Sequence, residues 1–452
     1  MARKPASARR STETSRRAAV IGGNRLPFGK AGGAYASATN LDLLTATLTG
    51  LVARYNLQGE RIGDVSGGAV LKHSRDFNLT REAVLGSGLD SHTSAFDVQR
   101  ACGTSVETVT AIANKIALGQ IETGIAAGTD STSDAPIVVS DRLRRTLIKL
   151  SRAKTLGQRV KLVGSLRPGD LAPVAPSVNE PRTGMSMGEH QAITTRRWGI
   201  TRESQDELAL ASHQNLARAY DEGLFDDLIT PYRGLTRDQS LRADTSLDKL
   251  AKLAPVFGKA SPGATMTAGN STPLSDGAAA VLLGTDEWAA ERGLPVLAHV
   301  VDAEAAAVDF VHGAEGLLMG GAYAVPRLLA RQNLSLDDFT FIEIHEAFAA
   351  TVLTTTSAWA DEEFMQSKVG LPALGSVDRS RLNVAGSSLA AGHPFAATGA
   401  RIVATLATLL RRAKDAEPDK PARGLISVCA AGGQAVAMIL EAPASDGKGG
   451  EQ

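Results

Sequence analysis

The chain has 452 residues, 43% hydrophobic and 21% charged, with 48 basic against 48 acidic side chains. That is enough apolar matter for about three domain-sized units, and it excludes a disordered chain or one built as a whole for nucleic acid. Two cysteines exclude a disulfide framework and a cysteine-rich zinc site, and no run of about 18 apolar residues offers a membrane span.

Residues 1–17 carry Arg3, Lys4, Arg9, Arg10, Arg16 and Arg17 against Glu13 and read as a disordered basic tail. A mitochondrial presequence is the alternative, but the stretch lacks an amphipathic face. Ala18–Gly23 predicts a first core strand, Leu41–Tyr55 a helix, and Val65–Val70 a glycine-rich strand. Ala95–Val98 predicts a short strand that leads into a helix, because Val109, Ile112, Ala113, Ile116 and Ala117 form one apolar face. Ile121–Gly128 reads as the next strand. From Pro136 to Met266 charge, proline and glycine rise and helices dominate. Glu203–Tyr220 is one of them, with Thr201 as its cap.

The α/β texture resumes at Thr267, with a strand over Ala278–Leu283. The later chain then repeats the earlier order of elements. A strand at Val384 precedes the Gly386–Pro394 turn. A helix follows with Ile402, Leu406, Leu409 and Leu410 on one face, then strands Leu425–Val428 and Gly433–Leu440. A duplicated α/β unit with a helical insertion in its first copy accounts for this order. The corresponding division is 1–17 tail, 18–135 first half, 136–266 insertion, 267–290 last strand of the first half, 291–442 second half, and 443–452 disordered tail.

Cys102 falls between a strand and a helix N-terminus, where unpaired N–H groups and the helix dipole lower a thiol pKa. Gly103 allows close backbone approach there. A buried, inert cysteine is the competing reading. His393 occupies the matching turn of the second copy, between Gly392 and Pro394. Cys429 ends a strand and opens Cys429-Ala-Ala-Gly-Gly433, whose N–H groups can face an oxyanion. His345 follows the strand Phe341–Ile344. No short metal-ligand spacing occurs among these residues, so no metal is expected.

Four stretches resemble the thiolases: Gln99-Arg-Ala-Cys102, His345-Glu-Ala-Phe-Ala349, Gly392-His-Pro394 and Cys429-Ala-Ala-Gly-Gly433. Met187-Gly188, Thr267-Ala-Gly-Asn270, Asp276-Gly-Ala-Ala279 and Gln205–Gln214 support the likeness, which runs from about residue 18 to residue 442. The resemblance implies an α/β thiolase fold: two βαβαβαββ halves in an αβαβα layering with an inserted, mostly helical loop domain.

It also implies thiolytic cleavage of 3-ketoacyl-CoA in fatty-acid β-oxidation, with no cofactor and coenzyme A as a substrate. Cys102 would be the acylated nucleophile, His393 its base, and Cys429 the acid/base at the substrate α-carbon. The main-chain N–H groups of Cys102 and Ala431 would hold one thioester oxygen; His393 and a water on His345 would hold the other. Met187, Ala268, Thr272 and Phe348 would line the pantetheine and acyl tunnel.

Many thiolases have asparagine at the place of His345. The histidine form is similar to β-subunits of trifunctional fatty-acid oxidation complexes. A homodimer or homotetramer in the cytoplasm is the corresponding expectation. The basic stretch 142–167 would meet a hydratase/dehydrogenase subunit or an anionic membrane surface. The alternatives are a biosynthetic acetoacetyl-CoA thiolase, a 3-ketoacyl synthase-like enzyme, and a silent lipid-binding member of the fold. Cys429 and the intact quartet speak against the last two.

Overall fold

The computed structural model describes residues 16–174, 179–313 and 315–444. The tail expected over residues 1–17 therefore lies outside the described residues except for Arg16 and Arg17, as does the end of the chain beyond residue 444. One ten-stranded mixed sheet forms the frame. Its longer strands are β1 (Ala18–Arg25), β2 (Asp64–Gly67), β3 (Ala95–Asp97), β4 (Thr123–Ser131), β5 (Ser275–Gly284), β6 (Ala298–Ala307), β7 (Phe341–Ile344), β8 (Arg423–Ala430) and β9 (Gln434–Glu441). They run in the order β3-β2-β4-β5-β1-β6-β9-β8-β7.

From the centre outward that order states the duplication. β1, β5 and β4 pair antiparallel, and β2 joins β4 in parallel. On the other side β6, β9 and β8 pair antiparallel, and β7 joins β8 in parallel. The halves meet where β1 pairs β6, through Ala18–Val300, Ala19–His299 and Val20–Ala298.

The strand expected at Val384 is absent. Its place, equivalent to β3, is reduced to a single parallel bridge between Ile342 and Leu382. The cause is Asn383, which turns left-handed at φ +48°. Its side-chain amide accepts from Ile344 N–H at 2.8 Å and donates to Ile344 C=O at 2.9 Å, so a side chain replaces a strand's backbone.

Among the helices are α1 (Asn40–Arg54), α2 (Leu79–Gly86), α3 (Thr104–Ala117), α4 (Asp141–Arg152), α5 (Leu156–Gly164), α6 (Met187–Arg197), α7 (Arg202–Asp221), α8 (Gly321–Gln332), α9 (Ala349–Ala360), α10 (Ser388–Ala391) and α11 (Thr398–Ala416). Alternate residues of a strand face opposite ways, and the cores show it. Val281 and Leu283 of β5, with Val436, Met438 and Leu440 of β9, join a central core with Val106, Val109 and Ile112 of α3 and Ile402 and Leu406 of α11. Ala280 and Leu282 face α1 and α2 in one outer core. Ala437 and Ile439 face α8 and α9 in the other. The result is helices, strands, helices, strands, helices, with α3 and α11 in the middle layer. Gly399 lets α11 approach α3, since a Cβ there would lie 2.6 Å from Val106.

Among the described residues the insertion forms no separate core. Leu208 and Ala209 of α7 belong to the outer core of the second half, and Leu216 and Ala219 to the central one. Thr201 caps α7 by accepting from Ser204 N–H. No helix among the described residues is long and apolar enough to cross a membrane.

Candidate active site

The chain enters α3 through a strained turn. Ala101 is left-handed at φ +45°, a conformation that costs an L-residue roughly 1–2 kcal/mol. Thr104 compensates: its hydroxyl donates to Ala101 C=O at 2.7 Å and accepts from Arg100 N–H at 2.9 Å. The turn leaves Cys102 half-buried ahead of Gly103, the N-cap of α3. Gly103 itself is unstrained at φ −84°; its smallness leaves room for Val436, which a Cβ would approach to 3.2 Å.

The opposite turn precedes α11. Gly392 adopts φ +102°, open only to glycine at ordinary cost. His393 N–H donates to Ser275 Oγ at 3.2 Å. Its Nδ1 lies 2.6 Å from Thr398 Oγ1, and its Nε2 lies 3.1 Å from Cys102 Sγ. Burial pushes the Cys102 thiol up to about 12, against the Ala431 and Cys102 N–H groups that favour its thiolate. Burial also pushes His393 down to about 3, with Arg401 adding to the effect.

The lowered thiol pKa expected from the helix N-terminus is thus corrected: the N–H donors are present, and desolvation outweighs them. The resting pair is neutral. With both groups neutral, a Cys102 S–H given to Nε2 puts the ring hydrogen on Nδ1, toward Thr398 Oγ1.

His345 closes β7. Its ring lies over His393 at a centroid distance of 4.1 Å, tilted by 43°. Nδ1 is 2.8 Å from Ser388 Oγ, while Nε2 is buried and meets no partner. Burial, then the charges of His393 and Arg401, hold its pKa well below the usual imidazole range. Cys429, at the end of β8, is held above the usual thiol range by burial and by the charge of Cys102. Beyond it, Gly432 and Gly433 at φ +79° and +72° form a turn. Gly432 N–H is taken by Glu180 at 2.7 Å, and Ala431 N–H faces the Cys102 sulfur.

Cys429 also lies in an apolar cluster with Met266, Leu317, Leu318, Ala347 and Phe348, with Met187 and Phe257 packed against it. Phe348 and Phe257 meet edge to face at 5.6 Å. The structure therefore gathers Cys102, His345, His393, Cys429 and Ala431, and sets Met187 and Phe348 beside them. Thr272 spends both its N–H and its hydroxyl on Ala347 C=O, at 3.1 and 3.0 Å. Ala268 lies exposed, outside the cluster.

Ligand atoms of Cys102, His345 and His393 fall within 4.8 Å of one another. A soft metal ion would find three donors there. The sequence argument against a metal, made from spacing, does not bear on donors that the fold brings together.

Several site residues had no signal in the sequence. Ser388 and Thr398 hold the two imidazoles. Asp130 accepts from Val70, Leu71 and Ala396 N–H groups at 3.0, 2.7 and 2.8 Å, and burial raises its pKa to about 7. It ties the end of β4 to the turn that carries His393. Glu346 accepts from Ser212, Asn383 and Leu389 at 2.7, 2.8 and 3.1 Å. The Ser212 bond joins α7 to the His345 motif. By contrast His213, inside α7, accepts Arg242 N–H at 3.2 Å and is structural.

Residues 18–287 match the family model of the thiolase N-terminal domain, and residues 294–442 that of the thiolase C-terminal domain. The chain is 41% identical over 437 residues to the 3-ketoacyl-CoA thiolase of Pectobacterium carotovorum subsp. carotovorum (strain PC1), covering 95% of this chain and 98% of the relative. It is 42% identical over 433 residues to that of Serratia proteamaculans (strain 568), covering 94% and 97%. Among solved structures, the Bacillus anthracis acetyl-CoA acetyltransferase superposes with a TM-score of 0.77 at 28% identity, over 96% of this chain and 100% of that one. Human mitochondrial 3-ketoacyl-CoA thiolase in complex with CoA gives 0.76 at 26% identity, over 95% and 98%.

Proposed function

The chain belongs to the thiolase family, and on that premise we propose that it is a 3-ketoacyl-CoA thiolase of fatty-acid β-oxidation, working through an acyl-Cys102 intermediate. The observation that carries the mechanism is the 3.1 Å approach of His393 Nε2 to Cys102 Sγ, with Ala431 N–H on the same sulfur. Cys102 gives its proton to His393 as its sulfur bonds to the 3-keto carbon. The new oxyanion falls to the Cys102 and Ala431 N–H groups. The bond between the α- and β-carbons then breaks, and the departing enolate takes the proton of Cys429. Its thioester oxygen faces His393 and His345. Coenzyme A next gives its thiol proton to the Cys429 thiolate and attacks the acyl group on Cys102. The shortened acyl-CoA leaves, and His393 returns its proton to Cys102.

Mass spectrometry after incubation with acetyl-CoA tests the reading. An acetyl group on Cys102 is expected, and Cys102→Ser should show neither acylation nor turnover. Cys429→Ala should still acylate Cys102 but lose solvent deuterium exchange into acetyl-CoA. Acetyl on Cys429 with Cys102 free would sink the assignment. Met187, Phe257 and Phe348 form the apolar wall for pantetheine and acyl chain, with Thr272 and Ala268 at its edge. Two free cysteines support a reducing, cytoplasmic setting, and a homodimer or homotetramer accords with it.

The same proposal gives the α4–α5 hairpin a docking role on an anionic membrane surface or a hydratase/dehydrogenase subunit. Leu147, Ile148, Leu156, Val160 and Val163 are exposed on it. Lys149, Arg152 and Lys161 line a cleft of about 490 Å³ between its helices. Charge reversal at Arg144, Arg145 and Lys149 should abolish low-salt co-sedimentation with anionic vesicles or partner co-purification, leaving short-chain thiolysis intact. If wild type associates with neither, the docking role fails.

A further inference from the structure

The structure assigns Ser388 and Arg401 as positioning residues that fix the tautomer of His345, keeping a hydrogen on the Nε2 that faces the reacting oxygen. This deepens the acyl-transfer reading and rests on it for its consequence, though not for its observable. A neutral imidazole carries one hydrogen, and the partner of one nitrogen decides which atom holds it. For His345 that partner is Ser388 Oγ, 2.8 Å from Nδ1.

Ser388 is in turn committed by Arg401. The guanidinium Nη2 lies 3.0 Å from Ser388 Oγ and 3.2 Å from Ser387 Oγ. A guanidinium only donates, so Ser388 Oγ accepts and keeps one hydrogen to give. No other hydrogen bond of that hydroxyl occurs among the described residues, so a hydrogen on Nδ1 would leave both the Ser388 O–H and the buried Nε2 unpaired, whereas a hydrogen on Nε2 leaves only that N–H, the one aimed at the reacting oxygen. Ser388 O–H therefore donates to Nδ1, which makes Nδ1 the acceptor and places the ring hydrogen on Nε2. Nε2 is the atom that is buried and meets no partner.

Arg401 has little freedom to release the serine. It is buried on α11, where burial lowers its pKa from the usual guanidinium value and Glu343 and Glu346 oppose that fall. Glu343 lies on β7, two residues before His345, and its carboxyl group is buried without a hydrogen bond among the described residues.

The outcome is two histidines in contact with opposite tautomers. The Cys102 S–H on His393 Nε2 makes that nitrogen the acceptor that takes the Cys102 proton. Ser388, with its acceptor role filled by Arg401, leaves His345 with an Nε2 that can only donate. One ring is a base and its neighbour a preorganised donor for the enolate oxygen. A plain serine partner would leave both tautomers open to His345; the buried arginine behind it removes the choice.

Nitrogen NMR of ¹⁵N-histidine enzyme near neutral pH reads the tautomer, with the His345 signals identified by their loss in His345→Asn. A protonated Nε2 and a bare Nδ1 are expected in wild type, a result that needs no variant to fold. Ser388→Ala should mix or reverse the tautomers and lower kcat by roughly 10- to 100-fold at unchanged KM for coenzyme A. Ser388→Thr, which keeps the hydroxyl, should restore both. Wild-type hydrogen on Nδ1 overturns the assignment. So does a Ser388→Ala enzyme with the wild-type tautomer, or a Ser388→Thr enzyme that matches Ser388→Ala. Wild type that shows the expected tautomer but no thiolysis would sink the acyl-transfer reading and leave this assignment standing.

Discussion

The turns ahead of α3 and α11 hold equivalent places in the two halves, and they are built by opposite means. In the first, an alanine is forced to φ +45° and a threonine hydroxyl staples the loop; Cys102 remains half-buried. In the second, a glycine reaches φ +102° and the imidazole of His393 has a partner on both nitrogens. A nucleophile has to move onto carbon, whereas a base has to stay where it is. Duplication supplied the location, and local chemistry made one turn yielding and the other fixed.

Removing either member tests whether the turns act as a unit, and it carries the largest expected effect. Cys102→Ala and His393→Ala should each lower kcat/KM for thiolysis by about 10⁴-fold or more, and the double variant should be no worse. Multiplying losses would mean that the turns work independently. The backbones come next. Gly392→Ala would place a Cβ 2.6 Å from Ser275 Oγ at a φ that alanine avoids; urea unfolding should show a loss of roughly 1–3 kcal/mol. Ala101→Gly relieves the other turn and should change stability by less than about 1 kcal/mol. Equal costs at both positions would erase the contrast.

Titration separates the two turns as well. His393, held near 3, stays neutral where an unfolded histidine of pKa about 6.5 binds a proton. The unfolded chain then takes up more protons, so stability falls as pH drops from about 6.5 toward 3. Cys102, held up to about 12, keeps its proton where an unfolded thiol of about 8.5 has lost its own. Stability from that source falls as pH climbs from about 8.5 toward 12. Urea midpoints at about pH 7 and about pH 4.5 should drop less for His393→Asn than for wild type. Iodoacetamide alkylation of Cys102 should climb steadily with pH; a plateau at neutral pH would reveal a preformed thiolate.

Much of this was legible in the sequence, because hydrophobic period and motif order survive without coordinates. The helix expected at Leu41–Tyr55 occupies Asn40–Arg54, and Thr201 caps α7 as read. The residues at the centre of the site were named from motifs that the fold then gathered. What stayed hidden depends on tertiary surroundings. Nothing marks Ala101 as left-handed, since the usual glycine or asparagine is missing. Val384 suits a strand, but Asn383 beside it turns the chain away. The thiol pKa was read from the helix end alone, because burial has no local signature. Ser388 and Thr398 are indistinguishable in sequence from ordinary hydroxyls at helix starts.

The three-pair seam between β1 and β6 has a consequence for synthesis. A ribosome makes β1 long before Ala298–Ala307 exists, and α11 (Thr398–Ala416) comes later still, so β1 waits with an unpaired edge and the central face of its sheet uncovered. Exposed edges of that kind recruit other chains, and contacts this distant in sequence form slowly. Ser212, already made, must likewise wait for Glu346. The nascent protein is thus most vulnerable to aggregation midway through translation, and a polypeptide cut between the halves would have to assemble from two pieces before Cys102 met His393.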